Sequence, residues 1–243
     1  MNKKYNWTWN LGHDGLISPE EMQNPEILLN SCEIVQNRPD SVVFKRNGIF
    51  FKWYKYNFKH AWRRMRYRYK SRAAREYRQM KLCQNAGLPT CDVLGYGQCG
   101  DTDSIIITRE VCNCQILTDV IRNKFLQHDF NDDEFFQRLG EFLRKCFHCG
   151  IYFPDLHTSN IMYLPEKREF ILIDMYGARR MYFFSKRKYI RMCHSLLYRI
   201  MPYITVERFY LLMQYFGKCS TLNDFIKFFI AQQKWLNNLY HRH

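Results

Sequence analysis

Asn47-Gly48 separates two short strand-like runs, residues 42–45 and 49–54. That dipeptide tolerates positive φ at both central positions of a tight turn, so the two runs read as a hairpin. Residues 32–36 form a further strand candidate, joined to the hairpin across the turn residues Asn37-Arg38-Pro39-Asp40. Three strands linked by tight turns describe an antiparallel meander. A helical stretch follows over residues 59–85, with Tyr77, Met80 and Cys83 recurring at helical spacing. Gly87 and Pro89 stop it. Residues 93–96 and 104–109 read as two more strands. The first half is therefore about five strands and one major helix.

The second half changes period. Residues 116–125 and 132–149 are helical, and Leu139, Phe142, Leu143, Cys146 and Phe147 make one apolar stripe ending at Gly150. Residues 161–164 and 170–174 are short strands around a Pro165 turn, and the chain from about residue 185 reads as helices broken at Pro202 and Gly217. Residues 1–30 read as mainly polar and carry Trp7, Trp9, Pro19 and Pro25. They read as an extension that packs on the body or stays partly mobile.

A chain of 243 residues suits one large domain or two lobes sharing a cleft. Its hydrophobic fraction of 47% and aromatic fraction of 17% support a real core and exclude a wholly disordered chain. No apolar run is long enough to span a bilayer, and the N-terminus has no apolar core of a signal peptide, so a cytosolic location is expected. Ten cysteines are scattered through the sequence. Cys112-x-Cys114 and Cys146-x-x-Cys149 have the look of metal pairs. The repeated paired spacing of a zinc site is missing, however, and reduced, mostly buried thiols are expected.

The net charge is +14, which favours anionic partners such as nucleic acid, anionic lipid head groups or phosphorylated sugars. Eleven Lys or Arg residues lie between Lys52 and Arg78, interleaved with Trp62, Tyr67 and Tyr69, and Glu76 is the only acid from Val42 to Cys91.

The chemistry is concentrated later. Asp155 and Asn160 lie five apart in a loop after a long helix, and Asp174 ends an apolar strand with Gly177 three residues on. Phosphoryl transfer needs such a set: one carboxylate for the acceptor hydroxyl proton, and an amide and a carboxylate for Mg²⁺ on the nucleotide phosphates. Asp and Asn also serve as ordinary turn and cap residues. Asp119, Asp132 and Asp133 read as helix starts.

At these residues the sequence resembles the protein-kinase-like superfamily. Asp155 matches its catalytic-loop Asp, Asn160 its metal-binding Asn and Asp174 the Asp of its Asp-Phe-Gly motif. Lys52 resembles the strand-borne ATP lysine and Glu76 its helix-borne partner. Within the superfamily the chain is similar to the bacterial lipopolysaccharide core kinases acting on Kdo or heptose. The likeness rests on Phe51-Lys-Trp-Tyr54, Ala74-Arg-Glu-Tyr77, Asn85-Ala-Gly-Leu-Pro89 and Asp155-Leu-x-x-x-Asn160, in order over roughly residues 40–220. The sequence departs from protein kinases in four places. Phe153-Pro-Asp155 replaces His-Arg-Asp. Asp174-Met-Tyr-Gly177 is one residue longer than Asp-Phe-Gly. No Ala-Pro-Glu follows. The turn at Arg38-Pro39 replaces a glycine-rich loop.

The resemblance implies an α+β bilobal protein-kinase-like fold. An antiparallel-sheet N-lobe would span residues 31–110, after the 1–30 extension, and a mostly helical C-lobe residues 111–243. Residues 111–115 would be the hinge, with ATP between the lobes. Lys52 would hold the phosphates, with Glu76 orienting it and Arg38 adding charge. Asn160 and Asp174 would bind Mg²⁺, and Asp155 would accept the acceptor proton. His157, where many protein kinases have a Lys near the transferred phosphate, would donate a hydrogen bond or only stabilise the loop. The implied partners are a lipopolysaccharide core or lipid A acceptor and the anionic cytoplasmic face of the inner membrane. The basic stretch would hold the protein there peripherally.

Three alternatives stay open. A protein kinase would phosphorylate a generic protein without sugar. A pseudokinase scaffold would bind without transfer. A nucleic-acid binder would use the basic aromatic stretch but leave Asp155, Asn160 and Asp174 without a role. Oligomeric state and the choice between Kdo and heptose are not encoded legibly.

Overall fold

Asn47 at φ +49° and Gly48 at φ +72° turn strand β3 (Ser41–Arg46) back into β4 (Ile49–Tyr54), in a register that pairs Arg46 with Ile49 and Ser41 with Tyr54. The computed structural model describes residues 6–12, 15–55, 71–99, 103–126, 132–182 and 199–216, with positions 188, 192, 195–196, 223, 227 and 230. Much of the basic stretch, including Trp62, Tyr67 and Tyr69, lies outside the described residues. The chain divides into two compact units: Met1–Asn85 with Thr90–Cys112, and Ala86–Pro89 with Asn113–His243.

The first unit is built on a six-stranded antiparallel sheet. It adds β1 (Trp7–Leu11), β2 (Glu33–Arg38), β5 (Val93–Cys99) and β6 (Ser104–Arg109) to the hairpin, in the order β1-β5-β6-β4-β3-β2. Side chains alternate between its faces. Phe51 and Trp53 pack with Val42, Phe44, Leu94, Ile105 and Ile107 on one face, under Ile17, Leu28 and Leu29. Burying each large apolar side chain stabilises the fold by about 1.5–3 kcal/mol. Lys52 and Tyr54 stand on the other face, which helix α3 (Arg72–Asn85) covers.

The sheet has one strand more than expected, and its extra strand comes from the N-terminal segment. Trp7, Trp9 and Leu11 alternate with polar residues, and β1 pairs with β5 from Trp7↔Cys99 to Leu11↔Gly95. Helices α1 (Pro19–Gln23) and α2 (Pro25–Asn30) follow it and roof the Phe51 face. Three contacts tie this segment down. Trp9 Nε1 donates to Met22 O at 2.8 Å. A Cβ at Gly97 would come within 2.5 Å of the Trp9 ring. Arg46 pairs with Glu21, which closes the Ser18 capping box of α1.

In the second unit, α4 (Leu117–Leu126) and α5 (Asp133–His148) fall where helical periodicity placed them. Asp132 caps α5 by accepting from Phe135 N at 3.0 Å, and Gly150, at φ +73°, ends the connection after it. The buried stripe of α5 packs against α6 (Val206–Phe216) and against the hairpin β9 (Ile161–Leu164)–β10 (Glu169–Leu172). Phe135 meets Tyr163 and Phe170 at centroid distances of 5.1 and 5.6 Å. Strand β7 (Gln115–Ile116) adds to β9, and β8 (Ile151–Tyr152) pairs with β11 (Arg179–Arg180). The segment Ala86–Pro89 belongs here through its backbone: Leu172 N donates to Pro89 O at 2.9 Å.

Candidate active site

A lysine–glutamate pair is assembled in the first unit. β4 lies between β3 and β6, so Lys52 is on an interior strand and not at an edge. Its Nζ is 3.7 Å from Glu76 Oε1. Glu76 is 3% exposed, on the face of α3 that meets the sheet. Ser71 fixes the start of that helix by accepting from Ala74 N at 3.1 Å, and Ala73 N donates to the buried Ser104 Oγ at 3.3 Å. Glu76 also accepts from the phenol of Tyr54. Sequence reasoning overlooked Tyr54. Its signal was the spacing of two from Lys52, which puts both side chains on one face of a strand. Arg38 ends β2, exposed, opposite Ser41 across the Pro39-Asp40 turn.

The Asp155 loop is assembled in the second unit, between the β8–β11 ladder and the β9–β10 hairpin. Phe153 and Leu156 are buried and anchor the loop on either side of Asp155, whose side chain is 64% exposed. Asn160 closes a 3₁₀ turn, Thr158–Asn160, and its Nδ2 donates to Asp155 O at 3.0 Å. That bond commits the amide nitrogen and leaves the amide oxygen as the atom offered to a cation. The following strand is tied to the same residue, since Ile173 N donates to Asn160 O at 2.9 Å. Asp174 stands at φ +53° and Gly177 at φ +88°. A Cβ on Gly177 would lie 2.7 Å from Pro154 Cγ, so the Asp174 loop and the Asp155 loop are in van der Waals contact only because residue 177 is glycine.

Hydroxyls fasten the loop from outside. Thr118 Oγ1 shares a 2.7 Å bond with Thr158 Oγ1, and Arg199 donates to Ser159 Oγ at 3.2 Å. Neither contact was anticipated from the sequence, because Thr118 and Arg199 belong to elements distant along the chain. His157 Nε2 lies 3.5 Å from Asp155 Oδ1, and its Nδ1 is buried with no hydrogen-bond partner among the described residues. Burial pushes the His157 pKa below its ordinary value. Arg199 adds to that depression, while Asp155 and Asp174 oppose it.

An amide oxygen on Asn160 and a carboxylate on Asp174 are ligand types that suit a hard cation such as Mg²⁺. No group of three or more His, Cys, Asp or Glu side chains placed to hold a metal occurs among the described residues. Cys146 is buried in the α5 stripe, and Cys149 bonds to Cys146 O through its thiol at 3.1 Å.

The antiparallel sheet with its one long helix, and the helical unit with its Asp-x₄-Asn loop, define a protein-kinase-like fold. The model of the lipopolysaccharide kinase (Kdo/WaaP) family matches residues 36–207, and the chain belongs to that family. A solved structure described as "WaaP in complex with acyl carrier protein" superposes with a TM-score of 0.66 at 13% identity, over 97% of this chain and 98% of that one. The kinase PK-1 of Cydia pomonella granulovirus gives a TM-score of 0.43 at 15% identity, over 69% of this chain and 63% of that one. No curated protein matches the chain significantly. Family membership makes the protein a phosphotransferase. No helix among the described residues is long and apolar enough to cross a membrane.

Proposed function

We propose that the chain transfers the γ-phosphate of ATP to a hydroxyl of a lipopolysaccharide inner-core sugar, Kdo or heptose. The observation that carries this reading is the Asp155 loop, where Asn160 is held by the Asp155 carbonyl and tied by backbone to the strand leading into Asp174. Lys52 holds the α- and β-phosphates and Glu76 orients it. Asn160 and Asp174 would hold Mg²⁺, which would supply charge neutralisation of the phosphates. Asp155, exposed at the loop surface, positions the sugar hydroxyl and takes its proton late in the transfer. His157 stands beside that carboxylate as a hydrogen-bond donor. Arg38 adds positive charge from the β2–β3 turn. Catalysis is then chiefly positioning and charge stabilisation.

A net charge of +14 supports peripheral attachment to the anionic cytoplasmic face of the inner membrane, where a lipid-anchored acceptor is presented. The solved relative's complex makes acyl carrier protein a second partner to test by direct binding.

The test is ATP consumption with purified lipid A–core acceptors, comparing the intact chain with Asp155→Ala. Phosphate on the sugar, lost in the variant, supports the reading. Mg²⁺-dependent ATP binding without transfer to any acceptor would favour a pseudokinase, and transfer to a generic protein without sugar a protein kinase.

A further inference from the structure

Glu76 has two partners on the sheet face that α3 covers, Tyr54 and Lys52. The phenol donates to Oε2, while the lysine ammonium is 3.7 Å from Oε1. Tyr54 and Glu76 are 2% and 3% exposed, so water does not compete for this bond. Lys52 Nζ also lies 5.2 Å from the centre of the Tyr54 ring. The Arg72 guanidinium lies 4.2 Å from the same centre, and its Nη1 donates to Asp40 Oδ2 at 2.9 Å. Asp40 sits in the turn between β2 and β3, and its carbonyl accepts from Lys55 N at 3.2 Å. One aromatic side chain therefore touches both Lys52 and Glu76 and stacks with the arginine that grips the turn.

We propose that Tyr54 is a positioning residue for Lys52 and that, with Arg72 and Asp40, it replaces the conformational control a glycine-rich loop supplies elsewhere. The inference rests on the proposed kinase reading. A carboxylate has two oxygens and can rotate between partners. With Oε2 committed to the phenol, Oε1 remains turned toward Lys52, and the ammonium keeps one position. The turn itself lacks glycine, and Pro39 offers no backbone N–H to a phosphate. Asp40 in that turn would repel phosphate oxygens, and its ion pair with Arg72 cancels the repulsion. The Arg72 guanidinium lies over the Tyr54 ring, and an ammonium replaces such a contact poorly. Turn and lysine are thereby set by a single ring instead of by a mobile loop.

Tyr54→Phe keeps the ring and removes only the phenol bond. Two readouts decide the matter. In ATP consumption with the lipid A–core acceptor, kcat is expected to fall roughly tenfold while the KM for ATP changes less than about threefold, because a misplaced lysine fails chiefly in the transition state. In the folded protein without ATP, an amine-reactive ester read by mass spectrometry is expected to label Lys52 several-fold faster in the variant, with exposed Lys145 as the internal reference. Arg72→Lys keeps the charge, loses the planar contact, and is expected to show a smaller change in the same direction on both readouts. If Tyr54→Phe does not fold, Arg72→Lys decides alone. Unchanged Lys52 labelling together with unchanged kcat overturns the inference. An intact chain that consumes no ATP sinks the kinase reading instead, while the labelling comparison still supports or overturns the link from Tyr54 to Lys52.

Discussion

Gly140 lies on α5 where it crosses α6, and replacing it with alanine sets two effects against each other. Alanine is the better helix former by about 1 kcal/mol in a helix interior. Propensity alone therefore predicts a more stable protein. The added Cβ would meet Tyr215 Cβ at 2.6 Å, Leu212 O at 2.8 Å and Phe216 N at 3.1 Å. Two of those atoms are backbone, so no rotamer change relieves the clash and α6 must move bodily. Overpacking of this kind costs about 1–3 kcal/mol, and a clash with backbone belongs at the upper end. Subtracting the propensity gain leaves a net loss of about 2 kcal/mol. At about 2–4 °C per kcal/mol for a chain of this size, Tm falls by roughly 4–8 °C. Thermal unfolding followed by far-ultraviolet circular dichroism measures it. Arg144→Ala, exposed on the same helix, serves as the control and shifts stability by no more than about 0.5 kcal/mol. A Gly140→Ala protein with an unchanged or higher Tm refutes the claim that helix approach dictates glycine here.

Gly97→Ala drives the Trp9 ring off β5, and the expected outcome is a loss of about 1–3 kcal/mol with red-shifted tryptophan emission; emission identical to the parent would contradict it. Ser71→Ala removes the acceptor at the start of α3 and is expected to cost about 1 kcal/mol in a urea titration, with no loss if the cap is dispensable. His157 should make stability depend on pH. Its folded pKa lies below the ordinary 6.5, so the unfolded chain takes up the proton first. The contribution is complete above about 6.5 and is lost as pH falls through the folded value. His157→Asn should flatten that acid limb in urea midpoints between about pH 7.5 and 5, and parallel curves for the two proteins would remove His157 as its source.

What was legible in the sequence was local. Asn47-Gly48 needs no distant partner to specify its hairpin, and the α5 stripe declares its buried face by spacing alone. Lys52 and Glu76 were readable because a lysine among Phe51 and Trp53, and the only acid in a basic stretch, stand out against their neighbours. Strand β1 was not readable, because Trp7 pairs with Cys99 and nothing near Trp7 announces that partner. One clue was present in Ile105, Ile106 and Ile107, all buried, which require cover on both faces of the sheet. A single helix provides one cover, and the segment carrying Ile17, Leu28 and Leu29 had to provide the other. The Asp155 loop was legible as a spacing, but its fastening by Thr118 and Arg199 depends on tertiary placement. Tyr54 lay between the two cases: its face follows from strand period, its partner only from the position of α3.

The hydrogen bond from Leu172 N to Pro89 O has a consequence for synthesis. A ribosome adds about 5–20 residues per second, so the Pro89 carbonyl waits roughly 4–17 s before Leu172 is even made. During that interval the loop Ala86–Pro89, which lies between α3 and β5, lacks the strand N–H from which Pro89 O accepts. A chain released before residue 172 would leave the Pro89 carbonyl without that strand partner.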